Sequence, residues 1–253
     1  MKVIERLSNS FLVQLILTVI VYVFYGGVIG ISLLPSFYLI LTASRILTPL
    51  NTLSNIFLFS ISMGFSLYLF FIAGIIVMSS LIRLLSLGMK PGRYEAVSIV
   101  TLRWLVYSGI YTLATRLILP MVPMTFFTNL FFRIVGCKMG KNVKLNTWVL
   151  NDAYLLEIGN NVIIGGGTDI SCHLFENNKL ILKPVKIGND TLIGAHCYIS
   201  PGVVIGEKCT IGLNSFIRQD KYIPDNTVIT SLAGMKIRDA YFIEKKLKTH
   251  KKG

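Results

Sequence analysis

The chain has 253 residues, a formal net charge of +13 and a mean hydropathy of +0.65. A soluble domain is seldom so apolar, which argues against a plain globule and for membrane segments beside one or two domains. No basic helix interleaved with base-stacking aromatics accompanies the charge, so nucleic acid is not an expected partner, and anionic lipid or a phosphorylated ligand fits better.

Residues 1–10 carry Lys2 and Arg6. Phe11 to Leu34 is almost wholly apolar, long enough to cross about 30 Å of hydrocarbon as a helix and too long for a signal-peptide core. A second run, Ile56 to Ile82, holds no charge, and Pro35, Arg45, Pro49 and Asn51 lie between the two. Residues 1–95 are thus predicted to form a transmembrane hairpin, with spans at about 11–34 and 56–82. Lys2 and Arg6 before it, and Arg83, Lys90 and Arg93 after it, outweigh Arg45 in the loop. The positive-inside rule then places both ends in the cytoplasm, as in a multi-pass protein of the inner membrane. Residues 96–130 are apolar but interrupted by Arg103 and Arg116, while Leu102, Leu105, Val106 and Ile110 share helical spacing. Two arginines make a third span costly, so amphipathic helices on the membrane surface are expected. A third span, the alternative, would put the C-terminal domain on the other side.

From Val185 to Leu232 the chain repeats in sixes: Ile187, Ile193, Ile199, Ile205, Ile211, Ile217, Ile223 and Ile229. Gly188, Gly194, Gly206 and Gly212 follow four of these, and small or β-branched residues (Val185, Thr191, Cys197, Val203, Cys209, Ser215, Thr227) come two places before. A period of six drifts around an α-helix and suits a coil turning one corner per repeat, three to a turn, with Ile inside. Glycine after Ile suggests a corner of unusual backbone angle. Cys197 and Cys209 would face inward as small hydrophobes. The four cysteines, which include Cys137 and Cys172, form no CxxC pair, which disfavours zinc and suits a reducing compartment. The coil is expected over 131–232, with early rungs at Met139-Gly140 and Leu145-Asn146 and a one-residue slip near Asn151-Asp152. Between Ile170 and Ile187 the phase breaks, predicting an inserted loop from Cys172 to Lys183-Pro184. Residues 233–253 form a basic tail, either a solvated cap or a second lipid contact.

Three stretches carry a family resemblance: Pro184-Val185-Lys186-Ile187-Gly188-Asn189-Asp190-Thr191-Leu192-Ile193-Gly194-Ala195, Ser200-Pro201-Gly202-Val203-Val204-Ile205-Gly206, and Ile223-Pro224-Asp225-Asn226-Thr227-Val228. They resemble the hexapeptide-repeat acyltransferases, whose fold is a left-handed parallel β-helix. Phe131 to Gly140 is similar to the lead-in of the polysaccharide O-acetyltransferase branch. His173-Leu174-Phe175-Glu176 resembles a membrane-linked branch that includes a domain at the end of polylysine synthetases. Leu192 stands where the family often has Trp, and Ala233-Gly234-Met235-Lys236 lacks a usual Pro, which puts the donor pocket in question.

The resemblance implies acyl transfer from acetyl-coenzyme A or another acyl-coenzyme A, without a metal, in a homotrimer whose sites lie between neighbours. Such a reaction needs a base for the acceptor's proton, and imidazole suits that role. His173 stands where the family's catalytic histidine precedes its proline-valine motif. Asp169 or Glu176 is a candidate to orient its ring, although a solvated loop carboxylate is the more common fate of such a residue. His196 is a candidate substrate contact from an adjacent chain, or simply an outward rung residue. Asn146 matches an acceptor-binding position, or a corner. Gly194, Ala195, Gly212 and Ser215 would flank the pantetheine groove, with Arg218 and Lys221 meeting the nucleotide phosphates. His250 lies in the basic tail. The expected function is a membrane-anchored O-acyltransferase acting on a membrane-associated glycan or lipid. N-acyl transfer to a peptide or amino sugar and a non-catalytic scaffold are the rivals. A zinc carbonic anhydrase needs three histidines on the metal, and the coil offers two.

Overall fold

A computed structural model describes residues 11–47 and 52–230. The basic tail, His250, the Ala233–Lys236 segment and the N-terminal Lys2 and Arg6 lie outside the described residues. The chain divides into two compact units, residues 1–85 with 107–121, and residues 86–106 with 122–253.

The first unit is helical. Helix α1 (Phe11–Ile46) and helix α2 (Leu53–Ser86) are both longer than the spans read from the sequence. Each is long and apolar enough to cross a membrane. At 1.5 Å per residue each exceeds about 45 Å, more than a hydrocarbon core requires. Ser36 donates across the pair to the Ser66 carbonyl at 2.6 Å, and Leu33, Phe37 and Ile40 face Met63, Leu67 and Phe70. Large apolar side chains, among them Ile16, Ile20, Val23, Phe57, Phe65 and Tyr68, point outward. Helix α3 (Ile99–Leu113) gives its second half to this unit and continues into a π-turn (Ala114–Ile118). Gly109 and Gly74 allow it to fit, since a methyl group on either would press on Tyr25 or Ile118.

The second unit is a three-sided parallel coil. Its faces are β2 (Lys138–Met139), β5 (Leu156–Ile158), β10 (Val185–Ile187), β13 (Val204–Ile205) and β16 (Tyr222–Ile223); β3 (Lys144–Leu145), β6 (Ile163–Ile164), β11 (Leu192–Ile193), β14 (Thr210–Ile211) and β17 (Val228–Ile229); and β4 (Leu150–Asn151), β7 (Asp169–Ser171), β12 (Tyr198–Ile199) and β15 (Phe216–Ile217). Register partners lie 18 residues apart in the later turns. Ile187, Ile193, Ile199, Ile205, Ile211, Ile217 and Ile223 are buried, and Cys197 and Cys209 point inward with them. The six-residue period is therefore the core period.

The corners differ from expectation. Gly188, Gly194 and Gly206 do not carry the unusual angle; it falls two places later, at Asp190, His196, Lys208, Asn214, Asp220 and Asn226, all with φ between 54° and 59°. Asn and Asp tolerate that region because their short polar side chains bond locally. Glycine is needed for another reason: a Cβ on Gly188 would sit 2.5 Å from the Gly206 carbonyl carbon of the next turn.

The N-terminal boundary also shifts. Helix α4 (Phe126–Val135) occupies the start of the expected repeat, with Phe131 and Phe132 fully buried and Gly136 ending it at φ 112°. It caps the first turn: Arg133 donates to the Met139 and Gly140 carbonyls, and Asn129 to that of Val143. The coil proper starts at Lys138.

Candidate active site

The interruption after Ile170 is ordered as a β-hairpin rather than an irregular loop. Strands β8 (His173–Glu176) and β9 (Lys179–Leu182) are joined by Asn177 and Asn178, both at positive φ (50° and 60°), the turn that matches strand twist. It adds eleven residues to one turn, which runs 29 instead of 18. A third strand, β1 (Gly92–Glu95), pairs with β9, and Glu95 meets Lys179 at 2.8 Å. Residues 92–95, which follow the second apolar run, thus complete a three-stranded sheet with the hairpin.

His173 sits at the foot of that hairpin, its side chain 28% exposed. Its Nδ1 hydrogen-bonds Oδ2 of Asp152, which is 2% exposed. Asp152 lies where the sequence slips phase. Its backbone is left-handed (φ 54°, ψ 47°) and opens a short 3₁₀ turn, Ala153–Leu155. The third-face spacing there stretches from Leu150 to Ile170, two residues beyond a regular turn. That extra length lets a carboxylate reach the hairpin. Its other oxygen, Oδ1, accepts a hydrogen bond from Trp104 Nε1 at 2.8 Å. The Trp104 and His173 rings meet edge to face, 4.8 Å between centroids.

A carboxylate only accepts, so Nδ1 carries the proton and neutral His173 presents a lone pair on Nε2. Nε2 makes no hydrogen bond among the described residues. Burial pulls the imidazole's pKa down, but the hydrogen bond and charge of Asp152, with the charge of Asp169, more than offset it, so it lies above its ordinary value. Asp169 is near, not bonded; burial raises its pKa, and the Asn151 amide at 3.0 Å and His173 counter this in part.

The carboxylate on His173 is therefore neither Asp169 nor Glu176. Asp169 is occupied by Asn151, and Glu176 lies at the exposed far end of β8, opposite Lys179. The phase slip at Asn151-Asp152 was the available signal. Trp104 left no such trace, because the spacing of Leu102, Leu105 and Val106 marks the opposite, exposed side of its helix.

The other expected residues are dispersed. His196 is exposed at a corner, against Gly167. Asn146 is exposed at a corner beside Gly166. Gly194 and Ala195 lie half-buried, with Gly194 accepting from Thr168 and Ala195 from Asn214. Ser215 is buried and its hydroxyl donates to the Gly212 carbonyl at 2.6 Å, so it is turned into the coil and not toward a ligand. Lys221 is exposed. Arg218 lines an open groove with Tyr198, Ser200, Phe216, Leu174 and Phe175, so the strand that starts at His173 forms one wall. Arg103 donates to the Leu87 carbonyl.

Hexapeptide rungs closed into a parallel coil, broken once by a hairpin with an Asp-held histidine at its foot, define a class of repeat protein. Residues 184–219 match the hexapeptide repeat of succinyl-transferase. Galactoside O-acetyltransferase of Escherichia coli is 33% identical over 109 residues, 40% of this chain and 53% of that one. Delta-poly-L-ornithine synthetase of Acinetobacter baumannii is 22% identical over 180 residues, 71% of this chain and 13% of that one. A 2,3,4,5-tetrahydropyridine-2,6-dicarboxylate N-succinyltransferase of Methylorubrum extorquens is 30% identical over 106 residues, 42% and 35%. The repeat region of this chain is thus similar to hexapeptide-repeat acyltransferases. The chain spans about half the length of the first of these relatives and less of the other two.

Proposed function

We propose that the protein is a membrane-anchored O-acyltransferase that moves an acyl group, acetyl in the first instance, from acyl-coenzyme A to a hydroxyl of a membrane-associated glycan or lipid. The observation that carries this reading is the Asp152–His173 pair, which leaves Nε2 as a base. The acceptor's oxygen bonds to the acyl carbon as Nε2 takes its proton. The thioester C–S bond breaks, and the same proton passes from His173 to the departing sulfur. Asp152 holds the ring in the productive tautomer and stabilises the imidazolium. The groove walled by Leu174, Tyr198 and Phe216 suits a thin, largely apolar arm, and Arg218 suits its phosphates. Galactoside O-acetyltransferase among the relatives supports an O-linked product.

In this reading the coil is left-handed and assembles as a trimer, with His196 and Asn146 facing the acceptor across a seam between copies. The apolar outward faces of α1 and α2 support anchorage, and Ile99, Leu102, Leu105 and Val106, all exposed, support a membrane-surface role for the start of α3. Their flanking charges favour the inner membrane, with the coil in the cytoplasm.

The test is transfer of radiolabelled acetyl from acetyl-coenzyme A by the full chain in lipid nanodiscs, against panels of hydroxyl and amine acceptors. Label in an alkali-labile ester that disappears with His173→Ala supports the reading. No coenzyme A binding by a folded protein would leave a scaffold. The match to delta-poly-L-ornithine synthetase over 71% of this chain favours a second reading, N-acyl transfer. Label in an alkali-stable amide would select it.

A further inference from the structure

We propose that Trp104, supplied by a helix outside the repeat coil, is a positioning residue for the His173 base. The inference deepens the acyl-transfer reading and rests on it for the reaction, though not for the geometry.

Three side chains form a closed triangle. Asp152 gives one oxygen to His173 and the other to Trp104, and the Trp104 and His173 rings meet edge to face. A buried carboxylate held at both oxygens cannot turn without losing a bond, so the indole N–H fixes the aim of Oδ2. Indole donates and does not accept, so it cannot compete with Asp152 for the Nδ1 proton. A tryptophan that only filled space would need no partner on this carboxylate.

Trp104 is itself held in place, being 9% exposed. Ser98 accepts from the Thr101 amide at 3.2 Å, and the Thr101 hydroxyl donates to the Glu95 carbonyl at 2.8 Å. Glu95 ends β1, which pairs with β9, which pairs with β8, the strand that starts at His173. The helix that carries Trp104 is therefore pinned to the edge strand of the same small sheet whose hairpin begins at His173. The charged groups near the imidazole are Asp152 and Asp169; Arg103, beside Trp104 in sequence, is turned to the Leu87 carbonyl. It follows that the coil alone does not hold a complete site: residues 92–104 are part of it.

The experiment uses Trp104→Phe in the full chain, which keeps a ring and removes the donor. Two readouts are taken: steady-state acetyl transfer across pH, and the His173 imidazole titration by nitrogen NMR without substrate. We expect kcat to fall about 10- to 100-fold with KM for acetyl-coenzyme A within about twofold. We expect the His173 pKa to fall from its raised position as the Asp152 contact loosens, moving the acid limb of the rate profile to lower pH. Because both changes act through one link, Trp104→Phe in an Asp152→Asn background should cost less than about twofold more. A folded Trp104→Phe protein with the native titration and kcat, or losses that multiply in the double variant, overturns the proposal. If Trp104→Phe does not fold, benzothienyl-alanine placed at 104 keeps the indole shape without its N–H, and the same two readouts then decide for or against. The titration needs no substrate, so it separates this inference from the transfer reading. A wild-type protein that transfers nothing, yet whose His173 titration shifts with Trp104→Phe, sinks only the latter.

Discussion

His173 and Asp152, twenty-one residues apart, meet through Nδ1 and Oδ2 where the hairpin leaves the coil. The contact joins the two places where the repeat departs from its eighteen-residue turn, the stretched turn at Asp152 and the insertion at His173. Each irregularity costs regular packing, and together they place a base against its carboxylate.

Removing the imidazole should remove the chemistry and leave the fold. His173→Ala is expected to lower kcat by about 10²- to 10⁴-fold, the usual worth of a general base. Acetyl-coenzyme A affinity, by calorimetry, should change little, while the melting temperature should fall by an amount that is largest at acidic pH, because the buried Asp152 loses its His173 partner.

Asp152→Asn should cost almost as much. An amide nitrogen facing Nδ1 favours the tautomer with the proton on Nε2, the wrong one for a base, and losses up to about 10⁴ are known for such a change in a Ser-His-Asp triad. Glu176→Gln, at the exposed end of β8, should stay within about twofold. Equal losses for the two substitutions in kcat assays would remove Asp152 from its role.

The His173 pKa is raised on folding, so the sign of its stability effect is set. The unfolded imidazole titrates near 6.5; the folded one binds its proton more tightly. Its contribution is fully present below about pH 6.5 and is lost as pH rises through the higher folded value. Melting curves of the native protein and His173→Gln should differ most at acidic pH and converge toward alkaline pH. The same titration makes transfer rise with pH through the folded pKa, since only neutral His173 accepts a proton.

The corners should tolerate change at one position and not at the other. Gly188→Ala forces a methyl against the next turn's backbone and should destabilise by about 1–3 kcal/mol, as overpacking does. Asn214→Gly, at a left-handed corner, should stay within about 1 kcal/mol, because glycine occupies that region freely. Thermal or denaturant unfolding of both variants checks the contrast.

Much of the coil is legible in the chain itself. Ile187 through Ile223 announce a core row because a residue that recurs every sixth place in a three-sided coil always falls on the inside. The break after Ile170 marks the insertion and its histidine. Asp169 and Glu176 are nearer His173 in sequence than the carboxylate that holds it, and proximity along the chain misleads.

The sequence by itself determined the repeat, its core, its interruption and the two apolar helices, because each is a periodicity or a run and so is written in one dimension. Only the tertiary structure decided which carboxylate faces His173 and that Trp104 closes the triangle. Those contacts join residues 21 and 48 positions apart through a stretched turn and a three-stranded sheet; the phase slip marks where Asp152 stands, but not which side chains it meets.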